Sequence, residues 1–449
     1  MGGVKKKDCC VVKPAEETWT GSVPLSELDQ SGAIIHVSTI HFYQTPSSDL
    51  IPTTLKQSLA RVLVPFYPLA GRLSRIHGPH HRLQLNCNAH GVNFIEAESE
   101  FTLDHFLGTH HHHDQSPSPS ADQYTQLKPT VDYTLPIEER PIMIAQLTRF
   151  ACGGITLCSS FSHAVIGGQS IGVFLTEWAR FARGEVCVKT EPFHDRSVLG
   201  VRNPSSSRAP HFDHAEEFSQ LPALAEGTKK KKSSNKAMTL RISKEQMETL
   251  KAAANEGRDT STRAYTRYEA LTGHIWKCAC KARKLKTEQA TGLEVYVDVR
   301  NRLEPPLPSG YFGNSSIGVL AVCNAGEIMV KPLEYAASRV RGAIDKGSRS
   351  EYVWSYIDHL KSEKDLSKLQ DVSVYGNPNM SVSSWTRIPL YGIDFGWGKE
   401  VYTGPGSQRV DGDTVILSSC TGDGSLLVSL CLEALYMASF QNHFYNDIP

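Results

Sequence analysis

The stretch Gly154-Ile155-Thr156-Leu157-Cys158-Ser159-Ser160-Phe161-Ser162-His163-Ala164-Val165-Ile166-Gly167-Gly168-Gln169-Ser170 changes character halfway along, and that change decides how the fold is read. Residues 154–158 read as a buried strand and Gly167-Gly168-Gln169-Ser170 as a bend. Beyond the bend Ile171, Phe174, Leu175 and Trp178 recur at the spacing of one apolar helix face. His163 therefore stands where a strand hands over to a helix, a junction that exposes side chains at a sheet's edge. A helix beginning just past an imidazole disfavours its protonation, and a neutral ring can take a proton near neutral pH. That is what a general base requires.

Outward from this junction both element types recur without a regular βαβ repeat. Residues 32–43 suit a strand, and 52–64 a helix with Leu55, Leu59, Val62 and Leu63 on one face. Short strands are expected at 83–85 and 92–98. A strand at 238–242 leads into Ser243-Lys244-Glu245-Gln246, which has the pattern of a capped helix start, and a second helix is expected over 268–282. Strand character returns at 293–298, and 415–418 with 425–431 resembles a strand pair. This mixture in both halves predicts an α+β fold rather than a doubly wound sheet. A chain of 449 residues exceeds one compact core, at roughly 150 residues per domain. Periodicity fades between 184 and 236, where Pro204-Ser205-Ser206-Ser207 and Lys229-Lys230-Lys231-Lys232 have linker chemistry. The expected division is 1–190, a crossover at 191–236, and 237–449, with ligands held where the domains meet.

The 47 basic and 47 acidic residues cancel, so there is no overall charge footprint for nucleic acid or an anionic membrane. The eleven cysteines are scattered and read as reduced thiols; Cys278-Ala279-Cys280 lacks the second ligand pair that structural zinc needs, so no metal is expected. His110 to His113 read as a solvated loop rather than a preorganised metal site. The amino terminus has lysines but no apolar core of signal-peptide length, and no apolar stretch approaches a membrane span. A cytoplasmic monomer is the expectation.

Two short motifs compete with His163. Gly168-Gln169-Ser170-Ile171-Gly172 fits the pattern of a hydrolase nucleophile elbow, but no downstream acid and histidine complete a triad. Ser170 is then read as a hydroxyl in the helix's first turn. Asp394-Phe395-Gly396 invites comparison with protein kinases, yet no glycine-rich loop or catalytic loop accompanies it. The longer string Asp394-Phe395-Gly396-Trp397-Gly398 reads as a tight loop whose aromatics fill an apolar hollow and whose aspartate binds backbone amides.

Taken together, several stretches resemble the plant BAHD acyl-CoA-dependent acyltransferases. They are Leu63 to Leu73 (LVPFYPLAGRL), the His163 region, Asn301 to Pro308 running into Tyr311-Phe312-Gly313-Asn314, and Asp394 to Gly398. Within that family Thr18-Trp19, Ser26-Glu27-Leu28-Asp29-Gln30 and Leu135 to Pro141 look like the spermidine hydroxycinnamoyl transferase branch. The resemblance implies two chloramphenicol-acetyltransferase-like domains with a channel at their interface, no resident cofactor, and acyl-CoA as co-substrate. It implies that His163 deprotonates an amine or alcohol acceptor for direct attack on the thioester, with Ser383 and Trp385 beside the developing oxyanion. Spermidine is the expected acceptor, an alcohol the alternative. Arg258, Arg263 and Lys281 are candidates for the CoA phosphates.

One departure stands out. The family motif is His-x-x-x-Asp, and this chain has Gly167 where the aspartate belongs. In relatives that aspartate pairs with an arginine, here Arg300 or Arg302. Leaving a buried guanidinium unpaired would cost on the order of 3 to 5 kcal/mol unless another acid, such as Asp298, takes its place. Gly167-Gly168 is also expected to loosen the turn that aims the imidazole. Three outcomes follow: an enzyme with a rewired support, a weakened enzyme, or a protein that binds CoA esters without turnover.

Overall fold

The computed structural model describes residues 3–31, 34–44, 49–76, 82–107, 123–200, 212–218, 222, 235–363 and 376–449. The histidine run at 110–113 and the Ser- and Lys-rich parts of the expected crossover lie outside them.

Among the described residues the strands form three sheets. The first has the order β1 (Val4–Val12), β6 (Val92–Ser99), β7 (Met143–Phe150), β8 (Ile155–Ser162), β3 (His36–Tyr43), β13 (Tyr402–Pro405). The second has the order β11 (Ser316–Asn324), β10 (Ala290–Asp298), β12 (Met380–Ser384), β14 (Asp413–Ser418), β15 (Leu426–Glu433), β9 (Asn235–Ile242). A small sheet joins β2 (Gly21–Pro24), β5 (Leu83–Cys87) and β4 (Arg72–Arg75). The helices are α1 (Glu27–Gln30), α2 (Ile51–Val62), α3 (Leu103–Leu107), α4 (Gly168–Ala182), α5 (Ala215–Phe218), α6 (Lys244–Asn255), α7 (Arg267–Ala282), α8 (Ala325–Val330), α9 (Leu333–Gly347), α10 (Ser350–Ser362) and α11 (Ala434–Asn446).

The strand read from residues 154–158 is β8, and every one of its eight residues is buried. It lies between β7 and β3 and runs antiparallel to both. Its outward neighbours explain its composition: one face meets α2 and α4 through Leu157 and Phe161, the other meets the second half of the chain through Cys158. A strand covered on both faces has no reason to alternate. α4 buries the face predicted for it, with Ile171, Phe174, Leu175 and Trp178 all at most 3% exposed. The capped start at Ser243 is a complete capping box with Gln246, and β14 and β15 pair antiparallel as expected.

The two halves do not separate cleanly along the chain. β13, from the second half, pairs antiparallel with β3 of the first sheet, Thr403 opposite His41. Around that junction Ile40, Phe42 and Cys158 pack with Tyr402, Val415, Leu417 and Leu427 in one apolar cluster. β13, at residues 402–405, therefore joins the first sheet although it follows residue 237 in the chain.

Candidate active site

His163 occupies the turn directly after β8, five residues before α4 begins. Its backbone is held on both sides: the N–H donates to the Ile35 carbonyl at 2.9 Å, and its carbonyl accepts from Asn314 Nδ2 at 2.8 Å. The side chain is partly accessible, yet Nδ1 is buried without a hydrogen-bond partner among the described residues. Burial holds the imidazole below its ordinary pKa, opposed by its own carbonyl, by Asp29 and by the Asn314 side chain. The direction is the one expected from the sequence, toward a neutral ring, and its first cause is desolvation.

Gly167 is the N-cap residue of α4, with extended backbone and no side-chain cap. A Cβ there would meet Asn314 Oδ1 at 3.0 Å. The turn is nevertheless closed, because Val165 N–H reaches the Ser162 carbonyl at 3.0 Å and Asn314 clasps His163 from the other half.

For the arginines, the substitute acid expected from the sequence, Asp298, is the one found. Arg300 is paired with Asp298 at 3.3 Å, its own N–H donates to the same carboxylate at 3.0 Å, and its Nη2 reaches Ser170 Oγ at 3.2 Å. It is only partly buried, so no unpaired buried guanidinium burdens the fold. Arg302 turns elsewhere, to Ser348 Oγ at 3.0 Å and the Asp298 carbonyl.

Ser170 is buried, and its Oγ lies 3.1 Å from the Gly313 carbonyl while accepting from Gly313 N–H at 3.2 Å and from Arg300. It does not cap its own helix; it stitches α4 to the 311–314 loop. A hydroxyl so engaged is a poor nucleophile.

Asp394 does what its string predicted, accepting from Gly396 N–H at 2.7 Å and Gly398 N–H at 2.9 Å, with φ of +111° and +98° at these glycines. Phe395 is edge-on to Trp178 at 5.3 Å and stacked on Trp397 at 5.5 Å. Arg183, just past α4, donates to the Asp394 carbonyl. The loop thus clamps the far end of the helix whose near end carries the histidine turn.

Ser383 and Trp385 are both half-buried at the end of β12, and Ser383 Oγ lies 3.5 Å from the Thr414 carbonyl. The segment after Trp385 lies on α4: Gln169 Nε2 donates to the Arg387 carbonyl at 3.2 Å, and a Cβ at Gly168 would meet Ile388 at 2.7 Å. Residues 387–389 thus reach the start of α4 from the second half.

The three basic residues suggested for CoA are not brought together. Arg258 is engaged within its own loop, at the Asp259 carbonyl (2.7 Å) and at Thr262. Lys281 pairs with Asp447 at 2.7 Å at the opposite end of α7, on the order of 20 Å from the helix start. Arg263 does border an open cavity of about 570 Å³, with Arg302, Arg341, Tyr265, Thr262 and Ser348 among its lining.

Sequence reading missed three residues here. Asp29, fully buried, accepts from Asn314 N–H and Nδ2 at 2.9 Å each and pairs with buried Arg196 at 2.5 Å. The one local signal was Ser26-x-x-Asp29, a capping box that the structure completes. Nothing near Arg196 or Asn314 announces the contact, since their partner is 167 and 285 residues away.

His163 thus follows a strand of the first sheet and is held through Asn314 from the second half, while Ser170 is taken up by Gly313 and Arg300. A family profile described as "Transferase family" matches residues 3–447, and the chain belongs to the BAHD acyltransferases, which carry acyl groups from coenzyme A to small acceptors. It is 38% identical over 461 positions to hydroxycinnamoyl-CoA:piscidic acid hydroxycinnamoyltransferase of Actaea racemosa, covering 98% of this chain and 99% of that one. It is 35% identical over 468 positions to anthranilate N-benzoyltransferase protein 2 of Dianthus caryophyllus, covering 99% of each. Vinorine synthase shares the fold, with a TM-score of 0.71 at 21% identity over 97% of this chain and 96% of that one. Among the described residues no helix is long and apolar enough to cross a membrane.

Proposed function

We propose that the chain transfers a hydroxycinnamoyl group from its CoA thioester to an amine of a polyamine such as spermidine, with His163 as general base. The observation that carries this reading is the imidazole itself: partly accessible, kept neutral by burial, and fixed by its backbone on both sides. An amine attacks only when neutral. As its nitrogen bonds to the thioester carbon, the imidazole takes the proton, and the oxyanion finds Ser383 Oγ and the Trp385 indole N–H as candidate donors. Collapse of the tetrahedral species breaks the C–S bond, and the imidazolium returns the proton to the CoA thiolate.

A cationic acceptor is supported by the second sheet. Glu294, Ser381 and Asp413 form one register row across β10, β12 and β14, and Ser383 is two residues further along the same face, on the order of 7 Å. That face also carries Val415 and Leu417, which pack toward the first sheet. Burial pushes the Glu294 carboxyl up to about 7 and that of Asp413 to about 6, although both remain partly accessible. Carboxylates desolvated in this way would gain most from a neighbouring ammonium. For the donor, the cavity bordered by Arg263, Arg302 and Arg341, with Asp345 in the same lining and Arg341 paired to Glu269, is the candidate for the phosphate end of CoA.

A hydroxyl acceptor is the second reading, favoured by the relative named for piscidic acid. Incubation with p-coumaroyl-CoA and either spermidine or shikimate separates the two by thiol release. Release with spermidine, with an apparent KM raised roughly tenfold by Glu294→Gln, supports the amide. Release with shikimate alone overturns the polyamine, and no release with a panel of amines and alcohols overturns turnover itself.

A further inference from the structure

We propose that Asp29, held by Arg196 and acting through Asn314, is the carboxylate that positions the His163 imidazole in this chain, in place of one at 167. The inference rests on the reading of His163 as the base.

Asp29 Oδ2 accepts from Ser26 N–H at 3.1 Å, Ser26 Oγ at 2.7 Å and Arg196 Nη1 at 2.5 Å; Oδ1 accepts from the Asn314 N–H and Nδ2, each at 2.9 Å. A carboxylate with that many donors and no exposure acts as an acceptor only. It therefore dictates which way the Asn314 amide faces. Nδ2 must point at Asp29 and at the His163 carbonyl, because the reverse orientation would set Oδ1 against two acceptor oxygens. Oδ1 is then left directed at Gly167, 3.0 Å from where a Cβ would stand. Glycine at 167 leaves room for this amide, and the clamp does through Asn314 what a side chain at 167 cannot.

The parts of the clamp come from distant places: Asp29 from α1, Arg196 from the segment after α4, Asn314 from the loop before β11. Arg196 Nη2 also donates to the Phe312 carbonyl at 3.2 Å, tying that loop down a second time. With Ile35 holding the histidine N–H at 2.9 Å, both peptide groups of His163 are fixed, and so is the bond from which the imidazole swings. Asp29 and Asn314 are also two of the influences that favour protonation of the ring, as groups positioned beside a base would be.

The test uses the full chain with p-coumaroyl-CoA and whichever of spermidine or shikimate it acylates. Asn314→Ala is expected to lower kcat roughly 10- to 100-fold while KM for the thioester stays within about threefold, and to move the acid limb of kcat/KM to lower pH. Asn314→Asp, the same size but repelled by Asp29, should be slower than Asn314→Ala. Asn314→Ser, which keeps a donor, should fall between parent and alanine and serves if the alanine protein does not fold. A folded Asn314→Ala or Asn314→Ser protein with parental kcat and an unmoved acid limb overturns the proposal. His163→Ala separates the two readings: if it abolishes transfer while the Asn314 variants remain parental, only the clamp is wrong; if it retains transfer, the base assignment has failed as well.

Discussion

At the scale of the residue, desolvation sets the chemistry of His163. Because burial lowers its pKa below the ordinary 6.5, the ring stays unprotonated through neutrality and gains a proton only at lower pH. The sign for activity follows: kcat with a saturating acceptor whose charge does not change near neutrality should be flat around pH 7 and fall on acidification with a midpoint below 6.5. A limb centred above 7 in a rate profile with a saturating acceptor of fixed charge would contradict it. Gly167→Asp brings opposing effects. A carboxylate at the N-cap of α4 is worth only a few tenths of a kcal/mol over glycine, and its Cβ presses on Asn314 Oδ1, whose amide two hydrogen bonds hold in place. We expect stability in urea to change by less than about 1 kcal/mol and kcat not to rise, since the turn is already supported. A rise in kcat of tenfold or more would mean that the support had been lost and was restored.

At the scale of the element, α4 is the lever between the structural loop and the histidine. Its Phe174 and Trp178 face pins it to the first sheet, the Asp394–Gly398 loop clamps its C-terminal end, and the 385–389 segment presses on its first turns. The close approach depends on glycine. A Cβ at Gly172 would meet the Pro389 ring at 2.7 Å and the Pro389 carbonyl at 3.0 Å, and neither can swing aside. Gly172→Ala should therefore destabilise by about 1 to 3 kcal/mol in chemical denaturation, despite alanine's better helix propensity. Gly342→Ala, in α9 with nothing within 4 Å, isolates that propensity and should stabilise by about 0.5 to 1 kcal/mol. If both changes have the same sign, packing is not what selects glycine at 172. The elements read from the sequence were those with strong periodicity: α4, α6, α7 and β8 fall where the pattern put them, whereas β1, β7, β11 and the helices α9 to α11 were not read. β12 and β13 did not announce themselves, because each spans only four or five residues and acquires strand geometry from the neighbours it pairs with.

At the scale of the whole molecule, β13 and the shared apolar cluster make the halves interdependent. Residues 1–190 alone would leave β3 as an unpaired edge and expose Ile40 and Phe42, both fully buried in the intact chain. Expressed separately, that segment should be insoluble or associate on a sizing column, while the intact chain unfolds in one transition by circular dichroism and fluorescence. A soluble monomeric fragment with native strand content would show that β13 is dispensable.

By itself the chain determined what depends on neighbours in sequence: a strand-to-helix junction bearing a histidine, two α+β halves, and a glycine–aromatic loop closed by its own aspartate. Those features rest on local backbone preference and on hydrophobic period, which are carried in a few consecutive residues. Only the tertiary structure decided how the histidine turn is supported without an acid at 167, and which arginines border an open cavity. Both depend on groups far apart in the chain: Asp29 accepts from Arg196 and Asn314, 167 and 285 residues away, and the cavity brings 262–265 together with 302 and 341–348.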